Sequence, residues 1–337
     1  MERMVQMPDQ KSRRTLLRGA VLGGTGIAAA SLLAPASAAA AADNGLVFPG
    51  VDVVIDASHA TTGVAELVRR YLTSKSAHDL DEWMLFFSRH LITYIDAVVG
   101  AVYYSWDSLR DGLSEFVPGW PSDGKSYPTR ILGDATSAIV FFTDTAGLFG
   151  PSEIRAAGVI NFRDRKIIRQ IDYWDGRHFG IANTAALAAA SSPGFPTEFG
   201  ESTVGETAAL AMRTVVHKLA QALRLGDGAA ELFAPGAVFE DMPAHLQIVG
   251  PRSIGAYLAK AVSLLPYAGG GTAVRHVVGS AVGGGYEWTA SNSAVPRGVI
   301  ALELDRWGKI TRFTALWDGS LLDDATLISL ARPAIEQ

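Results

Sequence analysis

An eleven-residue segment occurs twice in this chain. Lys166-Ile-Ile-Arg-Gln-Ile-Asp-Tyr-Trp-Asp-Gly176 returns as Lys309-Ile-Thr-Arg-Phe-Thr-Ala-Leu-Trp-Asp-Gly319, with six of the eleven positions identical. Each copy follows a Gly-Val-Ile strand start, at Gly158 and at Gly298. The offset, 309 − 166 = 143 residues, is too long for a solenoid repeat and fits a whole small domain. The chain therefore reads as two copies of one fold. The copies differ where chemistry would sit: Asp172 in the first is Ala315 in the second.

Periodicity gives the order of elements within a copy. Val64, Leu67, Val68, Tyr71 and Leu72 fall on one helix face. A shorter helix is predicted over 81–88, a strand over 91–96, and a helix from Trp106 to Phe116 that stops at Pro118. Strands follow over 127–133, 137–143, 153–163 and 166–174. The second copy repeats this order. Met212, Val215, Val216, Leu219 and Leu223 mark its helix, and Ala237 to Asp241 its first strand. A helix over 253–264 comes next, then strands near 272–282, 285–290, 298–305 and 309–317. The plan is α+β: two tandem cone-shaped units, each a bent antiparallel sheet wrapped around a long helix. Domain bounds of 55–180 and 205–325 are expected, joined by a linker over 181–204 that is rich in Ala, Ser, Pro and Gly.

Residues 1–42 read as an export signal. Ser12-Arg13-Arg14-Thr15-Leu16-Leu17-Arg18 matches the twin-arginine pattern, a short Gly/Ala-rich apolar run follows, and Ala36-Ser37-Ala38 offers a cleavage site. The apolar run is too short to span a bilayer. The expectation is an extracellular or cell-envelope protein with no stable membrane insertion after cleavage. Removing residues 1–38 takes five of the 29 Lys/Arg and two of the 34 Asp/Glu, leaving a net charge of −8 against −5 for the whole chain. With no basic run, nucleic acid is not an expected partner. The absence of cysteine excludes disulfides and thiolate nucleophiles. The histidines show no metal-ligand spacing, so no metal is expected, and with no phosphate loop or dinucleotide fingerprint no cofactor is expected.

Leu232-Phe-Ala-Pro-Gly-Ala-Val-Phe-Glu-Asp241 and Ile171-Asp-Tyr-Trp-Asp175 carry a resemblance to the SnoaL-like branch of the nuclear transport factor 2-like superfamily. It covers nearly all of residues 60–180 and 205–320. It implies a cone with an apolar cavity that takes a small hydrophobic molecule, and packing of the two copies as an internal pseudo-dimer. The first half is also similar to limonene-type epoxide hydrolases. That similarity implies catalytic roles for Asp172, for Asp144 about thirty residues earlier, and for the Tyr94-Ile95-Asp96 segment in place of a water-holding Tyr-x-Asn. The arginine that bridges the two acids in that family is Phe142 here.

Alternation along strands gives the same residues a physical reading. Asp172 shares a face with Gln170 and Trp174, Asp144 with Phe142 and Val140, and Asp96 with Tyr94 and Ile92. Two carboxyls in one apolar pocket push their pKa values apart, which suits one as acid and the other as base. Tyr71, Trp106, Phe142 and Trp174 are the expected substrate-binding wall. Asp175 and Asp318, each before a glycine, read as turn residues. In the second half Asp241 is a candidate base, and an offset of 146 pairs it with His217 in the place of Tyr71. Two classes of function follow: a cofactor-free acid–base enzyme performing cyclisation, isomerisation, dehydration or epoxide-type hydrolysis, or a non-catalytic binding protein for a small hydrophobic ligand. Convergence of Asp96, Asp144 and Asp172 in a closed cavity favours the enzyme.

Overall fold

The computed structural model describes residues 46–190 and 204–335. The export signal expected over residues 1–42 lies outside them, as does most of the expected linker. The first half runs β1 (Leu46–Val47), β2 (Val54–Ala60), α1 (Thr62–Ser76), α2 (Leu80–Met84), β3 (Thr93–Asp96), β4 (Val102–Tyr103), α3 (Trp106–Phe116), β5 (Ser126–Gly133), β6 (Ser137–Asp144), β7 (Ile154–Arg163), β8 (Lys166–Trp174), α4 (Gly176–Phe179) and α5 (Ile181–Ala190). The second runs α6 (Leu210–Leu225), β9 (Phe233–Asp241), β10 (Leu246–Val249), α7 (Pro251–Ala261), β11 (Thr272–Gly279), β12 (Gly283–Ala290), β13 (Arg297–Leu304), β14 (Ile310–Trp317) and α8 (Asp324–Ser329). No helix among the described residues is long and apolar enough to cross a membrane.

The fold is α+β, with one sheet and one long helix in each half. The first sheet has the order β1-β2-β5-β6-β7-β8-β3-β4 and the second β10-β9-β14-β13-β12-β11. The four-strand meander of each half is antiparallel. The strand that opens each half's site returns to lie parallel to the last strand of the meander, β3 beside β8 and β9 beside β14. That register sets Asp96 directly beside Asp172, and Asp241 beside Ala315.

The helices sit where their stripes predict. Val64, Leu67, Val68, Tyr71 and Leu72 are buried on α1, and Met212, Val215, Val216, Leu219 and Leu223 on α6. α2 ends at Met84, short of the predicted 81–88, because Phe87 leaves the helix to bridge Ile167 of β8. The expected linker begins as helix α5, whose alanine-rich run Ile181–Ala190 has the best helix formers available.

Two faces of each sheet are used. On β8, Gln170, Asp172 and Trp174 turn toward α1, while Ile171 and Tyr173 join a buried layer shared with Val278, Val299 and Leu316 of the other sheet. The β7–β8 register skips Ile168, and this bulge shifts the phase of the alternation. Ile167, which strict alternation would set on the same face as Ile171 and Tyr173, therefore packs in the core beneath α1. Charged groups between the sheets are paired. Arg169 and Tyr173 both donate to Glu287, Tyr173 at 2.6 Å, and Arg130 donates to Glu303 at 3.0 Å. Asp175 and Asp318 exchange identical contacts: Gly319 N donates to Asp175 Oδ1 at 3.0 Å and Gly176 N to Asp318 Oδ1 at 3.1 Å. A Cβ on Gly176 or Gly319 would stand 2.7 or 2.8 Å from the opposing carboxylate, so only glycine admits the exchange. Each aspartate also caps its own turn, at Arg177 N and Ser320 N. The turn role read from sequence is present, with a second contact across the halves added to it.

Candidate active site

A cavity of about 130 Å³ opens in the first half between β3, β6, β7 and β8 on one side and α1, α3 and α5 on the other. Phe142, Trp174, Tyr103 and Phe149 give it apolar walls, and Lys75, Tyr94, Asp96, Asp144 and Asp172 are its polar groups. Phe116 of α3 and Leu187 of α5 also belong to the lining, so the linker helix helps to close the chamber.

Asp172 is the most strongly perturbed carboxyl in this chamber. It is 5% exposed. Tyr94 donates its hydroxyl to Oδ2 at 2.7 Å, and Gln170 Nε2 donates to Oδ1 at 2.9 Å. Gln170 is itself held by Tyr71, whose hydroxyl donates to Oε1 at 3.1 Å. Loss of water pushes the Asp172 pKa up from 3.8 to about 7, against the pull of these hydrogen bonds and of Lys75; the neighbouring Asp96 adds to the rise. Burial also drives Tyr94 well above its usual value, and the Asp172 charge beside it adds to this, so Tyr94 stays protonated and acts as a donor. The glycine opposite Asp172 makes room for it: a Cβ at Gly158 would lie 2.8 Å from Oδ1.

Asp144 faces a different partner. Lys75 Nζ donates to both of its oxygens, at 2.8 and 3.1 Å, and both side chains are almost fully buried. The ammonium is boxed by the rings of Trp83, Phe142 and Phe149, at 5.5, 5.2 and 5.4 Å from their centres. The expected acid–base pair of Asp144 and Asp172 is thus one carboxylate locked to a cation and one carboxyl free to titrate. The cation that β6 lacks at Phe142 comes from α1. Its signal in the sequence was a lysine continuing the apolar stripe, four residues beyond Tyr71.

Asp96 lines the cavity, but its oxygens are engaged. Oδ1 accepts from Val98 N and Val99 N at 2.9 and 3.0 Å, and Oδ2 from Trp174 Nε1 at 2.8 Å. Burial raises its pKa, and these bonds oppose the rise. These bonds give it a turn-forming and Trp-anchoring role beside its place on the cavity wall. Two expected wall residues stand elsewhere. Tyr71 lies behind Gln170 and positions it. Trp106 donates to Met84 O at 3.1 Å and stacks under Arg89 at 4.1 Å, away from the lining.

The second half corrects the pairing of Asp241 with His217. Burial aligns α6 with α1 at an offset of 148, not 146: Tyr71 corresponds to Leu219 (219 − 71 = 148) and Lys75 to Leu223. His217 therefore falls on the exposed face of α6. Asp241 is the counterpart of Asp96. It accepts from Ala244 N at 3.0 Å and from Trp317 Nε1 at 3.4 Å, with Tyr267 donating to Oδ2 at 2.7 Å. Burial pushes its pKa up to about 6. Strand registers give Ala290 for Asp144, Phe313 for Gln170 and Ala315 for Asp172. Phe239, Phe313, Tyr257 and Trp317 occupy the interior. Apolar side chains have taken the places of Asp144, Gln170 and Asp172, and Asp241 with Tyr267 is the polar pair left in this core.

No protein-family model matches the chain, and no curated protein matches it. Solved structures that it resembles include a protein assigned to the SnoaL-like polyketide cyclases from Shewanella putrefaciens, at 14% identity over 38% of this chain and 88% of that one, TM-score 0.32. A second is assigned as a ketosteroid isomerase from Kribbella flavida, at 19% identity over 32% and 75%, TM-score 0.27. A third, from Catenulispora acidiphila, has a ketosteroid isomerase-like fold and was solved with trimethylamine, at 14% identity over 36% and 92%, TM-score 0.30.

Proposed function

We propose that the first half is a cofactor-free acid–base enzyme acting on a small, mostly apolar molecule that carries an oxygen. The observation that supports this best is Asp172: a buried carboxyl with a pKa of about 7, steadied by Tyr94 and Gln170, on the wall of an apolar chamber. Near neutral pH such a group exists in both forms, which is what proton transfer in both directions requires. Ionised, it takes a proton from carbon or from water. Protonated, it gives one to an oxygen. The Lys75–Asp144 pair supplies a fixed dipole on the same wall, its ammonium end available to an oxygen that gains negative charge.

The cavity sets the size of the substrate. At about 130 Å³ it is close to the volume of an engineered cavity that binds benzene, which is ~150 Å³. A single ring fits this space and a multi-ring polyketide does not. Isomerisation of a cyclic enone and hydrolysis of a cyclic epoxide suit it best. We further infer that the two halves form an internal pseudo-dimer, supported by the shared apolar layer and the Asp175/Asp318 exchange, and that the second half serves as its structural partner. Export by the twin-arginine route is part of the same proposal.

The test is turnover by metal-stripped, nucleotide-free protein on cyclohexene oxide, cyclohexenone and related single-ring compounds. Asp172→Asn is expected to lower kcat by roughly 10²–10⁴ with folding intact. Asp241→Asn is expected to cost far less, because Asp241 serves a turn and a Trp–Tyr anchor. Tight binding of these compounds without turnover would favour a non-catalytic ligand carrier. Unchanged turnover in Asp172→Asn would remove Asp172 from the mechanism.

A further inference from the structure

The second half opens a pocket at a seam that the first half sews shut. In the first half the end of α1 is clasped to β5. Ser76 Oγ donates to Ser126 O at 2.6 Å, and Ser126 N donates back to Ser76 Oγ at 2.8 Å. The helix offset puts Arg224 where Ser76 stands (224 − 76 = 148), and the strand offset puts Thr272 where Ser126 stands (272 − 126 = 146). A long guanidinium side chain cannot form the short serine clasp. A pocket of about 210 Å³ lies there, between α6 and the edge of the sheet at β11 and β12.

The inner wall of this pocket contains Tyr286 and Trp288, both almost fully buried. Their first-half counterparts are Val140 and Phe142, which have no polar atom to satisfy. Trp288 Nε1 is buried with no hydrogen-bond partner. Among the described residues no hydrogen bond to the Tyr286 hydroxyl is found either, and burial alone accounts for the rise in its pKa. A buried donor left unpaired is costly, so Trp288 Nε1 at this pocket points to an acceptor that the protein does not itself supply. His217, Gln221 and Arg224, all exposed on α6, complete the outer wall. The lining holds no Asp or Glu, although the chain as a whole carries a net charge of −5.

We propose that this seam is a second binding site, independent of the acid–base reading of the first half, for a small planar aromatic carboxylate with an oxygen at its far end. The ring lies against Tyr286 and Trp288. The carboxylate meets Arg224 at the rim, and the far oxygen meets Trp288 Nε1 and the Tyr286 hydroxyl inside. A ligand of the 4-hydroxybenzoate type has this shape and this placement of polar groups.

Isothermal titration calorimetry of the full chain tests it, with 4-hydroxybenzoate, benzoate and the neutral isostere 4-hydroxybenzyl alcohol as probes. The expected result is one site per chain that prefers 4-hydroxybenzoate to the alcohol by at least about tenfold, since a charge-assisted bond to Arg224 is lost in the alcohol. Arg224→Gln should abolish that preference. Arg224 is exposed, so an unchanged melting temperature should accompany the loss. Trp288→Phe and, separately, Tyr286→Phe should each weaken 4-hydroxybenzoate several-fold. Asp172→Asn should leave the affinity as it is, which separates this site from the first-half cavity. No heat from any probe at millimolar concentration, an affinity indifferent to Arg224→Gln, or one that disappears with Asp172→Asn would each overturn the proposal.

Discussion

Lys75→Met is expected to destabilise the protein by about 3–5 kcal/mol, the usual cost of removing one partner of a buried ion pair. Lys75 and Asp144 are 4% and 5% exposed and share two hydrogen bonds. Methionine fills the volume of the lysine stem but leaves the Asp144 carboxylate in a box of Trp83, Phe142 and Phe149 with its cation gone. A chain of this size should lose roughly 6–15 °C in melting temperature. The double variant Lys75→Met/Asp144→Leu removes both charges and should recover most of the loss, because well-packed apolar pairs often match buried ion pairs in stability. It should not recover turnover, since the polar wall is then absent. Urea unfolding of the three proteins measures this. A loss under about 1 kcal/mol for the single variant would mean that water reaches the pair.

The second large effect belongs to Asp172→Asn and depends on pH. The folded protein holds a proton on Asp172 up to about pH 7, while the unfolded chain releases it near 3.8. Folded and unfolded states therefore differ in bound protons between those values, and the unfolded state binds fewer. Stability contributed at this site falls as pH rises through the window, and the full penalty is present above pH 7. Asparagine has no proton to lose and carries no such penalty. Relative to the native protein, the variant should gain roughly 2–3 kcal/mol between pH 5 and pH 8, about 1.4 kcal/mol for each unit of the window covered. Other titrating groups are common to both proteins and cancel in the difference. A difference that is flat with pH would place the Asp172 pKa near that of an ordinary aspartate.

These two residues also mark how far the sequence could be read. Asp172 was legible because it sits inside the repeated segment, alternates with Gln170 and Trp174, and is missing from the other copy. Lys75 was not, because an amphipathic stripe is read from apolar residues and a lysine ends it by convention. Only the docking of α1 over Asp144 makes that lysine part of the buried face. The misplacement of His217 had a related cause. The helix was aligned at an offset of 146, whereas α6 is displaced by 148 residues from α1, β12 by 146 from β6 and β14 by 143 from β8. Loop lengths change between copies while elements keep their internal spacing, so each element needs its own alignment. β10 is only four residues long, and β2 mixes exposed polar residues with a single fully buried position; neither has a strong alternation of its own. The bulge at Ile168 is a property of pairing with β7 and leaves no local mark.

Titration of Asp172 near neutrality on the wall of a largely apolar cavity is central to the proposed chemistry. A ¹³C NMR titration of the aspartate carboxyls measures it without any substrate, the Asp172 signal being the one missing from Asp172→Asn. The expected midpoint is about 7. A midpoint at or below roughly 4.5, in the ordinary range of carboxylates, would contradict it.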